Sequence, residues 1–138
     1  KLDLKSTHTE EYYKLSYELG IPQKNTEKLR NKLFGIECNF EELNGIDFKK
    51  GCYIGQEITS RIKLRNKLSK RLLPIQLIEG KLIEGATIKN NDNEIGKVLI
   101  NNQYPFAIVK YLSDHFDPKI KYKSEEAVLK IIIPEWIK

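Results

Sequence analysis

Methionine is absent from the whole chain, position 1 included. A chain without an initiator reads as a processed or truncated piece of a longer open reading frame. No apolar run approaches the roughly 20 residues that cross a bilayer. The opening Lys1-Leu2-Asp3-Leu4-Lys5 is too charged for a secretory leader. These absences point away from a membrane and make the cytoplasm the expected compartment. Cysteine and histidine occur twice each, at Cys38, Cys52, His8 and His115. The cysteine spacing fits neither a zinc nor an iron–sulfur motif, so no metal site is expected. Free thiols are expected over a disulfide, since nothing marks the chain for secretion. The single tryptophan, Trp136, reads as an anchor for the last strand.

What is present fits a globular chain. Its 138 residues are 40% hydrophobic and 31% charged, with a formal charge of +5. That length suits one domain or two small modules. A basic field favours anions, including a phosphate backbone. The lysines are spread along the sequence instead of clustering, which favours plain lysine enrichment as the cause.

Residues 8 to 20 predict a helix, with Tyr12, Leu15 and Leu19 on one face, Thr7 or Thr9 as cap and Gly20 as stop. A second helix is expected over 26 to 34, with Leu29 and Leu33 inward and Asn25 or Thr26 as cap. A helical turn is expected around 41 to 43, and another starting near Gly55. From Arg71 the pattern changes to short strands, at 72–78, 86–89, 94–100, 106–112 and 127–133, separated by turn residues. Pro74 places the first of these at an edge or a bulge. The fold class is therefore α+β: a mixed unit over 1–66, then a small antiparallel β-barrel or sandwich over 67–138.

The segment Lys50-Gly51-Cys52-Tyr53-Ile54-Gly55-Gln56-Glu57 carries the chemistry. Two glycines bracket a cysteine and a tyrosine and permit close backbone approach to a ligand. Lys49, Lys50 or Arg61 would favour a thiolate at Cys52. Gln56 and Glu57 combine amide donors with a carboxylate acceptor, a pairing suited to a heterocycle. On spacing alone, a tight turn around a buried cysteine is the favoured reading.

This octapeptide resembles the signature of the YgfZ and Iba57 family of folate-binding proteins, relatives of the aminomethyltransferase (T-protein) of the glycine cleavage system. Gly20-Ile21-Pro22, the stretch from Ile36 to Phe48, Arg61 and Lys70-Arg71-Leu72-Leu73-Pro74 resemble the family as well. T-proteins carry phenylalanine in place of Tyr53, arginine in place of Gln56, and no cysteine at position 52. The resemblance is therefore to the YgfZ and Iba57 branch.

The resemblance implies a partial T-protein-like central domain followed by the barrel. It implies tetrahydrofolate as cofactor and a role in iron–sulfur protein maturation or repair, with effects on tRNA-modifying enzymes. Cys52 is the implied functional thiol, as nucleophile, redox thiol or transient ligand. Glu37 is implied near the pterin ring. Lys50, Tyr53, Gln56, Glu57 and Arg61 are the other implied ligand-contacting residues, with Arg61 also placed to hold Glu57. Cys38 is expected to pack. The family's first domain and much of its central one would precede Gly20. The N-terminal half is thus an expected partner, beside iron–sulfur proteins, and weak or absent folate binding is expected of this chain alone. Two alternatives are one-carbon transfer on tetrahydrofolate and an RNA- or protein-binding module built on the basic barrel.

Overall fold

The computed structural model describes residues 8–52, 54–64 and 68–137. Tyr53, the expected cap Thr7 and the expected break between residues 66 and 67 lie outside them. Within them the fold is α+β, a layer of helices and turns set against a barrel.

The barrel strands are β1 (Arg71–Glu79), β2 (Thr87–Asn90), β3 (Asn93–Ile100), β4 (Phe106–Val109), β5 (Lys121–Ser124) and β6 (Ala127–Ile131). All neighbours are antiparallel, in the closed order β1-β4-β3-β2-β5-β6. Closure leaves no sheet edge to pair with another chain. Alternation supplies the core: β5 reads exposed, buried, exposed, buried. Ile75, Ile88, Ile95, Val98, Leu129 and the ring of Tyr122 fill the interior. Burying each such side chain contributes roughly 1.5–3 kcal/mol.

Three details differ from the pattern in the sequence. Pro74 lies at no edge; it marks the point where β1 passes from pairing β4, over 71–74, to pairing β6 from Ile75 onward. The missing proline N–H is harmless there, and the Pro74 carbonyl accepts from Ile132 N at 2.9 Å. The strand expected over 106–112 ends at Val109, where the chain turns and Tyr111 packs at a tilt against Phe116, 5.5 Å between ring centres. β5, absent from the sequence reading, completes the barrel.

The helical layer covers β1, β4 and β3. Tyr17, Leu29, Leu33 and Cys38 pack onto Leu72, Leu99, Ile100 and Phe106. Helix α1 (Thr9–Glu18) begins after His8, which caps it without a side-chain bond, while Glu10 and Glu11 favour the positive end of the helix dipole. Its expected inward face is turned out: Tyr12, Leu15 and Leu19 are 51%, 55% and 43% exposed. Tyr17 sets the orientation instead. Its hydroxyl donates to Ile75 O at 2.7 Å and its ring meets Phe106 edge-on. Burial pushes the Tyr17 phenol up to about 12. Trp136 ties the C-terminal tail to the end of α1, not to the last strand, by donating from Nε1 to Leu19 O at 3.0 Å. The helix expected over 26–34 is reduced to a 3-10 turn at Thr26–Leu29, because Arg30 is extended and Asn31 takes φ 60°.

Candidate functional site

The segment that leads to the motif is fastened to the start of β1. Both backbone groups of Leu72 face it: Leu72 N donates to Glu37 O at 2.8 Å, and Leu72 O accepts from Asn39 Nδ2 at 2.9 Å. Arg71 completes the clamp, donating to Asn39 Oδ1 at 2.9 Å and pairing with Glu42 at 2.5 Å. Asn39 is buried and takes φ 62°, a conformation asparagine tolerates better than most residues. Sequence reasoning assigned Asn39 no role; its value lies in bonds to residues more than thirty positions away.

The carboxylate of Glu37 is engaged locally, where Oε2 accepts from Phe34 N at 2.9 Å and closes the turn. Cys38 packs against the layer beneath β1 and β3. Burial, helped by the charge of Glu37, pushes its thiol up to about 11.

After an Asx turn in which Lys49 N donates to Asp47 Oδ1, the chain emerges at Lys50, Gly51 and Cys52, all exposed. Both cysteines are free thiols, and Cys52 is the exposed one. Ile54 stands fully in solvent, and among the described residues nothing beyond the immediate chain neighbours lies within 4 Å of a Cβ built at Gly51 or Gly55. Helix α2 (Gln56–Leu64) follows directly, longer than the single turn expected. Lys50 and Gln56 are each engaged with a neighbour. Glu57 and Arg61 form the expected ion pair one turn apart, both largely exposed. Lys63 docks the far end of α2 through Glu41 and over the Phe48 ring. The structure thus brings Glu57 and Arg61 together beside the Cys52 loop and fastens Glu37 within its own turn.

Two clefts flank the helical layer. One of about 820 Å³ separates α1 from the barrel, lined by Tyr17, Lys81 and Gln103 among others. The other, about 510 Å³, lies beneath α2 against Ile36, Glu41, Ile62 and Arg71. Neither is lined by Glu37, Lys50, Cys52, Gln56, Glu57 or Arg61. A pocket for a small ligand normally buries most of it; here the motif loop stands outside both.

The two thiols make a direct check. An aromatic disulfide reagent at pH 8 is expected to titrate Cys52 quickly. Cys38 should react far more slowly, since a shift from 9.0 to about 11 leaves about a hundredfold less thiolate, behind a packed layer. Cys52→Ser should abolish the fast phase. Two equally fast thiols in the folded chain would contradict this arrangement.

No family model matches the chain. Curated relatives do. The mitochondrial iron-sulfur cluster assembly factor IBA57 homolog of Yarrowia lipolytica is 31% identical over 146 aligned positions, covering 96% of this chain and 30% of the relative. The homolog of Neurospora crassa is 44% identical over 63 residues, 46% of this chain and 14% of the relative. That of Dictyostelium discoideum is 42% identical over 69 residues, 50% of this chain and 17% of the relative. The motif, the clamp and the barrel thus sit in a chain that belongs to the Iba57 type. It spans between 14% and 30% of the length of these relatives. All three carry "mitochondrial" in their names, which overturns the cytoplasmic expectation and points to the mitochondrion. That expectation rested on the first few residues here, and in a chain spanning so little of its relatives those residues say nothing about a leader.

Proposed function

We propose that this chain is the C-terminal part of a tetrahydrofolate-binding factor that matures iron–sulfur proteins in the mitochondrion, with Cys52 as its working thiol. The observation that carries the reading is the likeness to iron-sulfur cluster assembly factors along 96% of the chain. The exposed, free state of Cys52 supports it, because a thiol that exchanges a cluster or an electron with another protein must reach that protein. Among the described residues no group of three or more His, Cys, Asp or Glu could hold a metal ion. In the proposed reading Cys52 acts with donors from a client.

Folate enters the proposal through the motif. Glu37, Lys50, Tyr53, Gln56, Glu57 and Arg61 are its proposed contacts, within a cavity whose remaining walls belong to the preceding part of a longer protein. Exposed apolar side chains, among them Leu15, Phe40, Ile54 and Ile58, fit contact with such a part. Enzymes that modify tRNA and carry clusters are the proposed clients.

The test uses the complete protein in cells that lack it. Cys52→Ser is expected to leave protein level unchanged and to reduce cluster-dependent enzyme activity to that of the deletion. Full activity with Cys52→Ser would remove the thiol from the mechanism. In calorimetry, tetrahydrofolate is expected to bind the complete protein but not the 138-residue chain; micromolar affinity for the chain alone would refute the missing-wall argument.

A further inference from the structure

The lysines that the sequence spreads along the chain are partly gathered by the barrel. Strand register sets Lys89 of β2 directly opposite Lys123 of β5, and Lys121 of β5 directly opposite Lys130 of β6. Lys89, Lys121, Lys123 and Lys130 are all exposed, and their inward neighbours Ile88, Tyr122 and Leu129 are buried, so the four point outward from one wall. None of them takes part in an ion pair among the described residues. Shallow grooves of about 410 and 490 Å³ run over β2 and β5, lined by Lys89, Lys121 and Lys123 but not by Lys130. Asp92 lines both grooves and Glu125 lines the second, so the carboxylates present are fewer than the lysines.

Like charges directly opposite across a ladder destabilise it. Two such pairs side by side work against the barrel, so folding gives no reason for them. The wall also lies away from the rest of the molecule's business. The helical layer packs on β1, β4 and β3, and β2, β5 and β6 form the opposite side of the closed barrel. A partner seated there leaves the Cys52 side open.

We infer that this lysine wall docks an extended acidic segment of a partner protein. Lys121 and Lys123 are two residues apart on one strand, about 7 Å, the period at which an extended chain presents every second side chain. Carboxylates at alternate positions would therefore meet the lysines in register. A nucleic acid is the weaker fit. Single-stranded RNA is held by aromatic stacking as well as charge, and the aromatic residue of these strands, Tyr122, is buried in the core. The four cations are all lysine, suited to steering and salt-sensitive contact and not to planar bidentate recognition.

The test uses the 138-residue chain and a labelled peptide of five Glu-Thr repeats, with five Gln-Thr repeats and a mixed-sequence 20-nucleotide RNA as comparisons. The acidic peptide is expected to bind, to be released between 50 and 500 mM salt as screening shortens to a few ångströms, and to outcompete the RNA. Changing the four lysines to glutamine should weaken peptide binding about tenfold or more. The same variant should melt at an unchanged or slightly higher temperature, since the opposed charges are gone. Equal binding of the neutral peptide, unchanged affinity of the variant, tighter lysine-dependent binding of RNA, or a melting temperature lowered by several degrees would each overturn the inference. None of these readouts involves Cys52, so failure here leaves the proposed role of the thiol untouched.

Discussion

Gly80→Ala is expected to destabilise the fold by about 2–5 kcal/mol, lowering the melting temperature by roughly 6–20 °C. Gly80 ends β1 at φ 80°, where the chain crosses the hairpin that joins β5 to β6. A Cβ placed there would lie 2.0 Å from Glu126 O and 2.9 Å from Glu126 C. Both are backbone atoms of a tight turn, so neither can swing aside as a long side chain would. The β1–β6 register already shifts between Leu77 and Glu79, which brings the two backbones together where the barrel closes. Two costs add: the left-handed conformation, roughly 1–2 kcal/mol for a residue with a Cβ, and the overlap, roughly 1–3 kcal/mol. Gly85→Ala separates them. Gly85 has φ 85°, yet the nearest atom to its built Cβ is the flexible end of Lys97 at 3.8 Å. Only the first cost applies there, so its melting temperature should fall by a third to a half as much. Equal losses in the two variants would show that the contact with Glu126 contributes nothing.

Strands that alternate around a buried β-branched or aromatic residue were legible because alternation is local. β6 follows that pattern closely, whereas β3 buries neighbouring residues in runs. β5 follows it too, but Lys121-Tyr122-Lys123-Ser124 is short and half charged, and only its neighbours make it a strand. α1 was legible as a helix, while its buried face was not. Apolar and aromatic residues occur around much of its surface, and the choice falls to Tyr17 because Ile75 O and Phe106 await it across the interface. The site divides in the same way. The Glu57–Arg61 pair follows from spacing on one helix. The clamp on Leu72 depends on which backbone groups the fold leaves facing each other, and no local pattern announces that.

The clamp yields the second large expectation. Asn39→Ala should cost about 2–5 kcal/mol, and most of the loss should fall on the segment that leads to Cys52. The substitution orphans the carbonyl of buried Leu72, roughly 1–3 kcal/mol, and takes from Arg71 one of its two anchors. Alanine at φ 62° adds strain of roughly 1–2 kcal/mol. Asn39→Gly removes the bonds without the strain, so the difference between the two variants measures the backbone part. Hydrogen exchange locates the damage. Amides of residues 34–44 should lose protection, while those of β2, β5 and β6 keep theirs, because the layer meets the barrel on β1, β4 and β3. Unchanged protection over 34–44 would mean that packing of Ile36 and Cys38 holds the segment without the clamp. In the complete protein, the same variant should reduce cluster-dependent activity while leaving the reactivity of Cys52 itself intact. That outcome would assign Asn39 to positioning the segment that carries the proposed thiol, and not to the thiol's chemistry.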